Sequence, residues 1–404
     1  MNILYLSQLV PYPIDAGPKV RSYHVLEYLA SAGHKITLVA FRRSNDQPKS
    51  LTHLEQFCSE IHTIPMVRSR LKDVMYLGKS MLMGTSFLID RDSMRSMNQL
   101  ILSLIRRQRF DAIHADQLWM AQYALRAQTQ LNEQGVNTLL VMDQHNAVHL
   151  IPQRLVDIEP NPLKRWVLDR EARSMKRYEL QECSRFDHVV WVTDEDRQII
   201  ENASLLPIDS LTIPICVDPE TKAEVKRLPN PRRVTFLGGL HWPPNAAGIE
   251  WFARAVWPKV QSEVPDAYLT VIGKNPPKGL QDSSITNLDV TGYVEDPEPL
   301  LADTAVFVVP LHAGGGMRVK IIDAWSWGLP VVSTTVGAEG IKYQDGEDII
   351  IADGEDAFAQ AAVKVLLDPA LASCLRQNGR QKVETDYNWR ITYKAWDQIY
   401  PLNK

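Results

Sequence analysis

The most informative stretch of the chain is Leu311-His-Ala-Gly-Gly-Gly-Met-Arg-Val-Lys-Ile-Ile-Asp-Ala-Trp-Ser-Trp-Gly-Leu-Pro-Val-Val-Ser333. An apolar run at residues 305–310 precedes it and is typical of a strand that ends in the triple-glycine loop. A helical pattern then begins near Arg318 and ends at Gly328-Leu-Pro330, before a second apolar strand. The stretch therefore predicts a strand, a glycine loop, a helix and a strand in direct succession.

The glycine loop has the features of an anion site. Glycines let a backbone approach a ligand closely, and a helix start offers free N–H groups to an anion. Lys320 and Asp323 are three residues apart and so share one helix face. A cation and a carboxylate at this place suit a diphosphate and a sugar hydroxyl, although a helix start with solvated charges would show the same pattern.

The composition is that of a globular protein with more than one domain. Its 404 residues are 45% hydrophobic and 23% charged, and a chain of this length exceeds one ordinary core. The net charge of -4 gives no reason to expect a nucleic-acid partner. The four cysteines are scattered without metal-ligand spacing, which favours a reduced, cytoplasmic compartment. Residues 1–6 are too few for a signal peptide, and no segment has the length and apolarity of a membrane span.

The first half of the chain alternates strand and helix patterns. A strand is predicted at residues 2–6, a helix at 20–32 and a strand at 35–40, with Gly17 in the first loop. A strand–helix–strand unit implies parallel strands joined by a right-handed crossover. Further strands are predicted at residues 112–114, 138–142 and 188–192. One long charged helix is predicted at residues 161–185.

The second half repeats this arrangement after a break. Prolines crowd between residues 207 and 231, which is typical of a linker. We therefore expect an α/β protein of two doubly wound, parallel-sheet Rossmann-like domains, 1–207 and 208–383, that face each other across a cleft. The strands predicted in the second domain are 233–238, 267–273, 287–292, 305–310, 331–334 and 348–352, and its first helix is 245–260.

Several motifs carry a resemblance to a known family. They are Phe236-Leu-Gly-Gly-Leu240, Pro244-Asn245, Val271-Ile-Gly273, Thr291-Gly-Tyr-Val294, the block 310–340 and, in the first half, residues 2–17, Gly33-His34 and Asp143-Gln-His-Asn146. With these motifs the chain resembles the retaining glycosyltransferases of the large family four, which have the two-domain GT-B architecture. The segment 384–404, with Asn388-Trp389, resembles the family's C-terminal helix that crosses back onto the first domain.

The resemblance implies an activity. A sugar would move from a nucleotide-diphosphate sugar to a glycan, lipid-linked or small-molecule acceptor, with retained configuration, as in polysaccharide biosynthesis. Negative charge grows on the leaving diphosphate, so fixed cations and N–H donors aimed there lower the barrier. No Asp-x-Asp motif stands where it would bridge a metal to the diphosphate, so we expect no metal and no cofactor beyond the donor substrate.

The resemblance also implies roles for residues. His145 matches a family histidine near the donor sugar, with a structural loop histidine as the alternative, and Lys320 and Arg318 would stabilise the leaving diphosphate. The residues expected on the acceptor side are His114 and Asp116. The residues expected to bind the donor are Gly17, Gly239, Asn245, Gly273, Val294, Gly315, Gly316, Met317 and Asp323.

Two departures from the family pattern concern the donor. Of two family glutamates eight positions apart, the first falls on Gly315, which has no side chain, and the second on the shorter Asp323. The family's Arg and Lys after the first strand of the second domain are replaced here by Leu240-His-Trp-Pro-Pro-Asn245. Arg318 and Lys320 would supply the positive charge instead, and the base and sugar of the donor stay open.

Alternatives of other classes remain at this point. Because of Gly315, a catalytically silent partner subunit with this fold is one, and a nucleotide-sugar epimerase is another. Residues 67–110 mix basic residues with methionines and leucines, so they are either a solvated helix face or a peripheral contact with the inner face of a membrane. The sequence leaves the oligomeric state open.

Overall fold

The structure, a computed structural model, describes residues 1–14, 16–281 and 285–401. The chain divides into two compact units, one of Met1–Cys216 with Thr392–Lys404 and the other of Val217–Ile391. Each unit is built on one parallel sheet with helices in its crossovers. The predicted fold class, two parallel-sheet α/β domains, is confirmed.

The sheet of the first unit has seven strands. Every neighbouring pair is parallel, and the spatial order is β3-β2-β1-β4-β5-β6-β7. The strands are β1 Asn2–Ser7, β2 Lys35–Arg42, β3 Glu60–Pro65, β4 Ala112–Asp116, β5 Leu139–Gln144, β6 His188–Trp191 and β7 Ser210–Thr212.

Helices connect these strands. Leu4 and Leu6 of β1 pack with Ile113 of β4 and Leu140 of β5 in one apolar core. The α-helices are α1 Gly17–Ser31, α2 Pro48–Leu54, α3 Arg70–Met83, α4 Phe87–Arg91, α5 Arg95–Arg107, α6 Leu118–Glu133, α7 Leu150–Ile158, α8 Pro162–Cys183 and α9 Asp194–Ala203. The C-terminal segment adds the 3-10 helix Tyr393–Gln398, in which Asp397 accepts a hydrogen bond of 2.8 Å from Tyr28 of α1.

The sheet of the second unit has six strands in the order β10-β9-β8-β11-β12-β13. They are β8 Arg233–Leu237, β9 Tyr268–Ile272, β10 Leu288–Gly292, β11 Thr304–Val309, β12 Val331–Ser333 and β13 Ile350–Ile351. The helices are α10 Pro243–Trp251, the π-helix Phe252–Val256, α11 Trp257–Glu263, the 3-10 helix Lys278–Gln281, α12 Glu298–Leu301, α13 Val319–Ser326, the 3-10 helix Val336–Ala338, α14 Glu355–Leu367, α15 Pro369–Asp386 and α16 Trp389–Thr392.

The region interpreted as a linker is more ordered than its prolines suggested. Ser210–Thr212 forms β7 on the edge of the first sheet, so the first compact unit runs to Cys216 rather than ending at residue 207. The predicted helix 245–260 is divided into α10, the π-helix Phe252–Val256 and α11. The backbone stays helical from α10 to α11, so Pro258 lies inside a continuous helix, directly after the π-helical turn that interrupts the regular α pattern.

In the part of the chain that the structure describes, no single helix has the length and apolar composition of a membrane span. Only α14 and α15 taken together meet that test, and the pair is bent by 98°.

Candidate active site

The triple-glycine loop follows β11, at the carboxyl edge of the second sheet. Gly314 and Gly316 have positive φ angles of 134° and 72°, which residues with a side chain rarely adopt. A Cβ at Gly314 would also lie 2.9 Å from Nη2 of Arg318. The loop therefore needs glycine for its backbone conformation and for the close approach of this guanidinium.

Arg318 holds the loop in place. Its Nη1 donates to the carbonyls of Gly315 and Gly316 at 2.8 and 3.3 Å. Its Nη2 donates to Val336 and to the carboxylate of Glu339, at 3.3 and 3.2 Å. The side chain is only 8% exposed. These contacts describe a residue that shapes the loop, and its predicted contact with a diphosphate stays a prediction.

Lys320 brings together several residues that the sequence predicted for the donor. Its Nζ donates to Oδ1 of Asn245 at 2.8 Å and lies 4.6 Å from the ring centroid of Phe236. Asn245 in turn donates to the carbonyl of Gly239 at 3.0 Å. A Cβ at Gly238 would come within 2.9 Å of Nζ, so the glycine leaves room for the amine. The loops after β8 and β11 thus meet at this amine.

Burial lowers the pKa of Lys320 to about 7, because a charged amine loses its hydration there. The nearby charge of Arg318 lowers that pKa further, and Asp323 acts in the opposite direction. An amine of this pKa is partly neutral near pH 7, and an anion beside it would favour the charged form. The position is therefore ready to receive negative charge.

Asp323 is paired with Lys222, a residue that the sequence analysis did not select. The Lys222 ammonium forms an ion pair with the Asp323 carboxylate and lies 5.4 Å from the ring centroid of Trp327. Arg380 fixes this arrangement, since its Nη1 donates to the carbonyls of Lys222 and Ser326 at 2.9 and 2.7 Å. Lys222 lies among the prolines interpreted as a linker, where no motif pointed to it.

The other predicted donor residues lie at several places. Gly273 follows β9, and a Cβ there would come within 2.0 Å of the carbonyl oxygen of Gly238, so no larger residue fits. Val294 lies half-buried after β10, and Met317 is buried beside the glycine loop. Gly17 is the first residue of α1 in the first unit. The structure thus brings only some of the predicted set together around Lys320.

Four buried polar residues meet at the carboxyl ends of β4 and β5. Asp116 ends β4, opposite Asp143 of β5, and His145 directly follows β5. The Nε2 atom of His145 lies 2.9 Å from Oδ1 of Asp116. Arg21 of α1 forms two contacts of 3.0 Å with the Asp143 carboxylate and donates to the carbonyl of Pro214 at 2.9 Å. Arg21 was not predicted, since a single arginine in a helix carries no motif.

Asp116 is held as an anion. Its Oδ2 accepts hydrogen bonds from the hydroxyls of Ser7 and Ser22, at 2.7 and 2.8 Å. Burial acts to raise the pKa of Asp116, but the charge of His145 and these hydrogen bonds outweigh it, so the pKa lies below its ordinary value. His145, which is 9% exposed, therefore faces a fixed carboxylate.

His114 lies deeper than its predicted acceptor-side position suggested. The side chain has no exposed surface, stacks on Tyr5 at 4.2 Å and has Nδ1 2.8 Å from the hydroxyl of Tyr400. Burial lowers the pKa of His114 to about 4, although Asp143 and Asp116 act against that shift. A neutral, enclosed imidazole of this kind packs within the first unit.

The cluster of Asp116, Asp143 and His145 has ligand atoms for a metal cation, but Arg21 already binds one of its carboxylates. Asp116, Asp143 and His145 offer ligand atoms within 4.8 Å of one another. Both oxygens of Asp143 are already bonded to the guanidinium of Arg21. A divalent ion at this site would have to displace the Arg21 guanidinium or bind against its positive charge.

The chain is similar to several known proteins. Residues 231–368 match the family described as Glycosyl transferases group 1. The chain is 25% identical over 372 residues to an uncharacterised 44.6 kDa protein in the cps region of Klebsiella pneumoniae, covering 89% of each chain. It is 28% identical over 148 residues to the lipopolysaccharide core biosynthesis glycosyltransferase LpsE of Rhizobium meliloti, covering 34% of this chain and 43% of that one.

A solved structure with the same fold is HepE of Anabaena in complex with UDP and glucose. It superimposes with a TM-score of 0.65 at 12% identity, covering 100% of each chain. The fold is therefore GT-B, and the group 1 domain with the named relative makes the protein a glycosyltransferase. The predicted fold and enzyme class are confirmed.

The position of Lys320 leads to a prediction about diphosphate binding. Lys320→Ala should weaken the affinity for a nucleoside diphosphate by roughly tenfold or more, since a charge-assisted contact to an anion is worth about 1.5–3 kcal/mol. In the wild type, affinity should fall as the pH rises from about 7.5 to about 9, because the amine with a pKa of about 7 loses its proton there. Calorimetry across this range measures both effects.

The exposed Lys364 of α14 is the matched control. Lys364→Ala should keep the wild-type affinity and its pH dependence, whereas Lys320→Ala should flatten that dependence. An unchanged affinity and an unchanged slope in Lys320→Ala would contradict the role of Lys320.

Proposed function

We propose that the protein transfers a sugar from a nucleotide-diphosphate sugar to an acceptor with retention of configuration and without a metal ion. The observation that carries this proposal is the Lys320 amine between Asn245 and the glycine loop, at the carboxyl edge of the second sheet. The complex of HepE with UDP and glucose supports a nucleotide sugar as the donor. The relative named for lipopolysaccharide core biosynthesis supports a glycan or lipid-linked acceptor.

The leaving diphosphate would be stabilised by fixed charge. Lys320 supplies a cation, and the start of α13 supplies N–H groups and the positive end of a helix dipole. Arg318 keeps the glycine loop in the shape that exposes those groups. Because these donors are already in place, little reorganisation is needed as charge develops on the diphosphate.

Asp323 would accept hydrogen bonds from the ribose hydroxyls of the donor. Its partner Lys222 holds the carboxylate in one orientation, while Gly315 leaves space where the family has a glutamate near the donor sugar. A donor sugar that fills this space is therefore favoured over one that needs a carboxylate there.

His145 would act on the reacting sugar as a hydrogen-bond donor. The Asp116 carboxylate, 2.9 Å from its Nε2, fixes the orientation of the ring, and an imidazole N–H is a hydrogen-bond donor. In a retaining reaction where the acceptor attacks from the leaving-group face, no enzymic nucleophile is needed. This differs from retaining glycosidases, which use two flanking carboxylates.

The same charges support metal independence. Lys320 would take the place of a divalent ion beside the diphosphate, and Arg21 is already paired with Asp143 in the other cluster. A chelator should therefore leave transfer unchanged.

The proposal is tested with a panel of UDP-, GDP- and ADP-sugars, each with and without glycan and lipid-linked acceptors and with a chelator. Nucleotide release that depends on acceptor, survives the chelator and gives a product with the anomeric configuration of the donor is the expected result. A new nucleotide sugar formed without acceptor would instead indicate an epimerase. Absence of any turnover, with nucleotide binding intact, would indicate a silent partner subunit.

A second prediction concerns His145. His145→Ala should lower turnover by about 10²-fold or more while changing donor affinity little, because its contact would form with the reacting sugar. Steady-state kinetics give the turnover, and calorimetry with the nucleoside diphosphate gives the affinity. The control is His62→Ala, which changes a half-buried histidine of β3. His149 is less suitable as a control because its ring lies 2.7 Å from the carboxylate of Glu179. Near-normal turnover in His145→Ala would reduce it to a loop residue.

We also propose that the first unit contacts an anionic membrane through α3 and α8. The two helices are adjacent, since Arg170 and Arg177 of α8 donate to the carbonyls of Thr85 and Gly84 just after α3, at 3.1 and 3.0 Å. The large apolar side chains exposed on these two helices are Leu71, Val74, Met75, Met81, Leu82, Met83, Leu163 and Trp166.

Exposed basic residues accompany this apolar face. Lys72 and Lys79 of α3 and Lys164 and Lys176 of α8 are all exposed. Apolar side chains next to lysines suit the interface of a bilayer that contains anionic lipids, where each basic residue near the surface contributes about 1 kcal/mol.

Vesicle sedimentation tests this contact. Lys72→Ala and Lys79→Ala should each weaken binding to vesicles that contain anionic lipid by about fivefold, and added salt should weaken wild-type binding. Leu82→Asp should weaken it further because a charge replaces an inserted side chain. Leu205→Asp is the control, since Leu205 is fully exposed outside these helices. Equal binding of all variants, or equal binding to neutral vesicles, would contradict the proposal.

A further inference from the structure

A cavity of about 930 Å³ lies at the carboxyl ends of β2 and β3 in the first unit. Arg42 ends β2 and stands opposite Pro65, the last residue of β3, and its carbonyl accepts a hydrogen bond of 2.8 Å from the amide of Met66. Arg43 and Arg68 complete the basic side of the cavity. We call this site the arginine cavity, defined by Arg42, Arg43 and Arg68.

The arginine cavity carries unneutralised positive charge. Within the described ranges, the guanidinium groups of Arg42 and Arg43 form no ion pair with a carboxylate, and both side chains are exposed. Asp46 is the acid of the lining, and its carboxylate accepts a hydrogen bond of 2.7 Å from the backbone amide of Arg43. Two guanidinium groups therefore face the cavity with their donors available.

Arg68 is fixed by a different contact. Its Nη1 lies 2.5 Å from Oδ1 of Asp92, whose side chain is fully buried. The other oxygen of Asp92 accepts a hydrogen bond of 3.2 Å from Gln8, which directly follows β1. The Arg68–Asp92 contact therefore connects this side of the cavity to the carboxyl end of β1.

An apolar surface continues from the cavity. Val67 lines it and is 77% exposed, and α3, with the exposed Leu71, begins three residues later at Arg70. An anion site that adjoins an exposed apolar helix suits a ligand with a charged head and an apolar chain. Arginine binds phosphate through paired N–H donors, which makes a phosphate or diphosphate the fitting head group.

We propose that the arginine cavity binds the phosphate or diphosphate group of an acceptor carried on an apolar chain. The inference rests on the proposed function, for which it narrows the acceptor to a lipid-linked, phosphate-bearing glycan. The donor diphosphate would bind around Lys320 in the second unit, and the acceptor phosphate would bind in the arginine cavity of the first unit.

The test uses farnesyl diphosphate as a soluble probe and the Lys320→Ala chain as background, so that the donor site contributes less to diphosphate binding. Arg42→Ala and Arg43→Ala should each weaken probe binding by about fivefold or more, since each removes charge-assisted contacts to phosphate. Arg109→Ala is the control, because this exposed arginine lies just before β4, at the opposite edge of the sheet. Arg42→Lys should keep only part of the affinity.

Pyrophosphate and farnesol, measured alone, separate the two parts of the ligand. Farnesyl diphosphate should bind more tightly than either. Probe binding that is unchanged in both arginine variants, or equal for farnesyl diphosphate and pyrophosphate, would overturn the proposal. Nucleoside diphosphate binding to the wild-type chain, measured in parallel, separates this outcome from a failure of the proposed function.

Discussion

Parallel strand direction is the constraint on which the rest of the structure depends. Within each sheet every neighbouring pair of strands that the structure describes is parallel, so all carboxyl ends of one sheet lie at one edge. The glycine loop follows β11, His145 follows β5 and Arg42 ends β2. Within one sheet, residues far apart in the chain become neighbours where adjacent strands end together, as Asp116 and Asp143 do.

Burying charge at such an edge has a cost that these residues offset in pairs. Asp143 is matched by Arg21, and Asp116 by two serine hydroxyls and His145. Lys320 is the exception, since its described partners are an amide oxygen and an aromatic ring rather than a carboxylate. A half-buried charge without a carboxylate partner is tolerated chiefly where a ligand supplies the counter-charge, which makes Lys320 the strongest candidate for an anion contact.

The sequence predicted most of the architecture because glycines and apolar runs report backbone constraints directly. The strand before the glycine loop and the helix after it were placed to within a residue or two. β3 and β7 were missed, since the intermediate burial of both edge strands leaves no clear apolar run to recognise. The roles of the predicted site residues stay predictions, whereas their positions are known.

Lys222 and Arg21 show why part of the candidate site was beyond sequence reasoning. Each acts through a partner distant in the chain, Asp323 for one and Asp143 for the other. No local spacing encodes such a contact, because only the folded sheet brings the partners together. His114 illustrates the reverse case, since its position at the end of a strand suggested a surface that its full burial removes.

The lowered pKa of Lys320 couples the proposed catalytic cycle to proton uptake and release. With its pKa of about 7, the amine would take up a fraction of a proton when a diphosphate binds and would return it to solvent when the product nucleotide leaves. The heat of nucleotide binding would then contain the ionisation heat of the buffer. Product release would be favoured at alkaline pH. Each turnover would therefore begin with proton uptake from solvent and end with proton release.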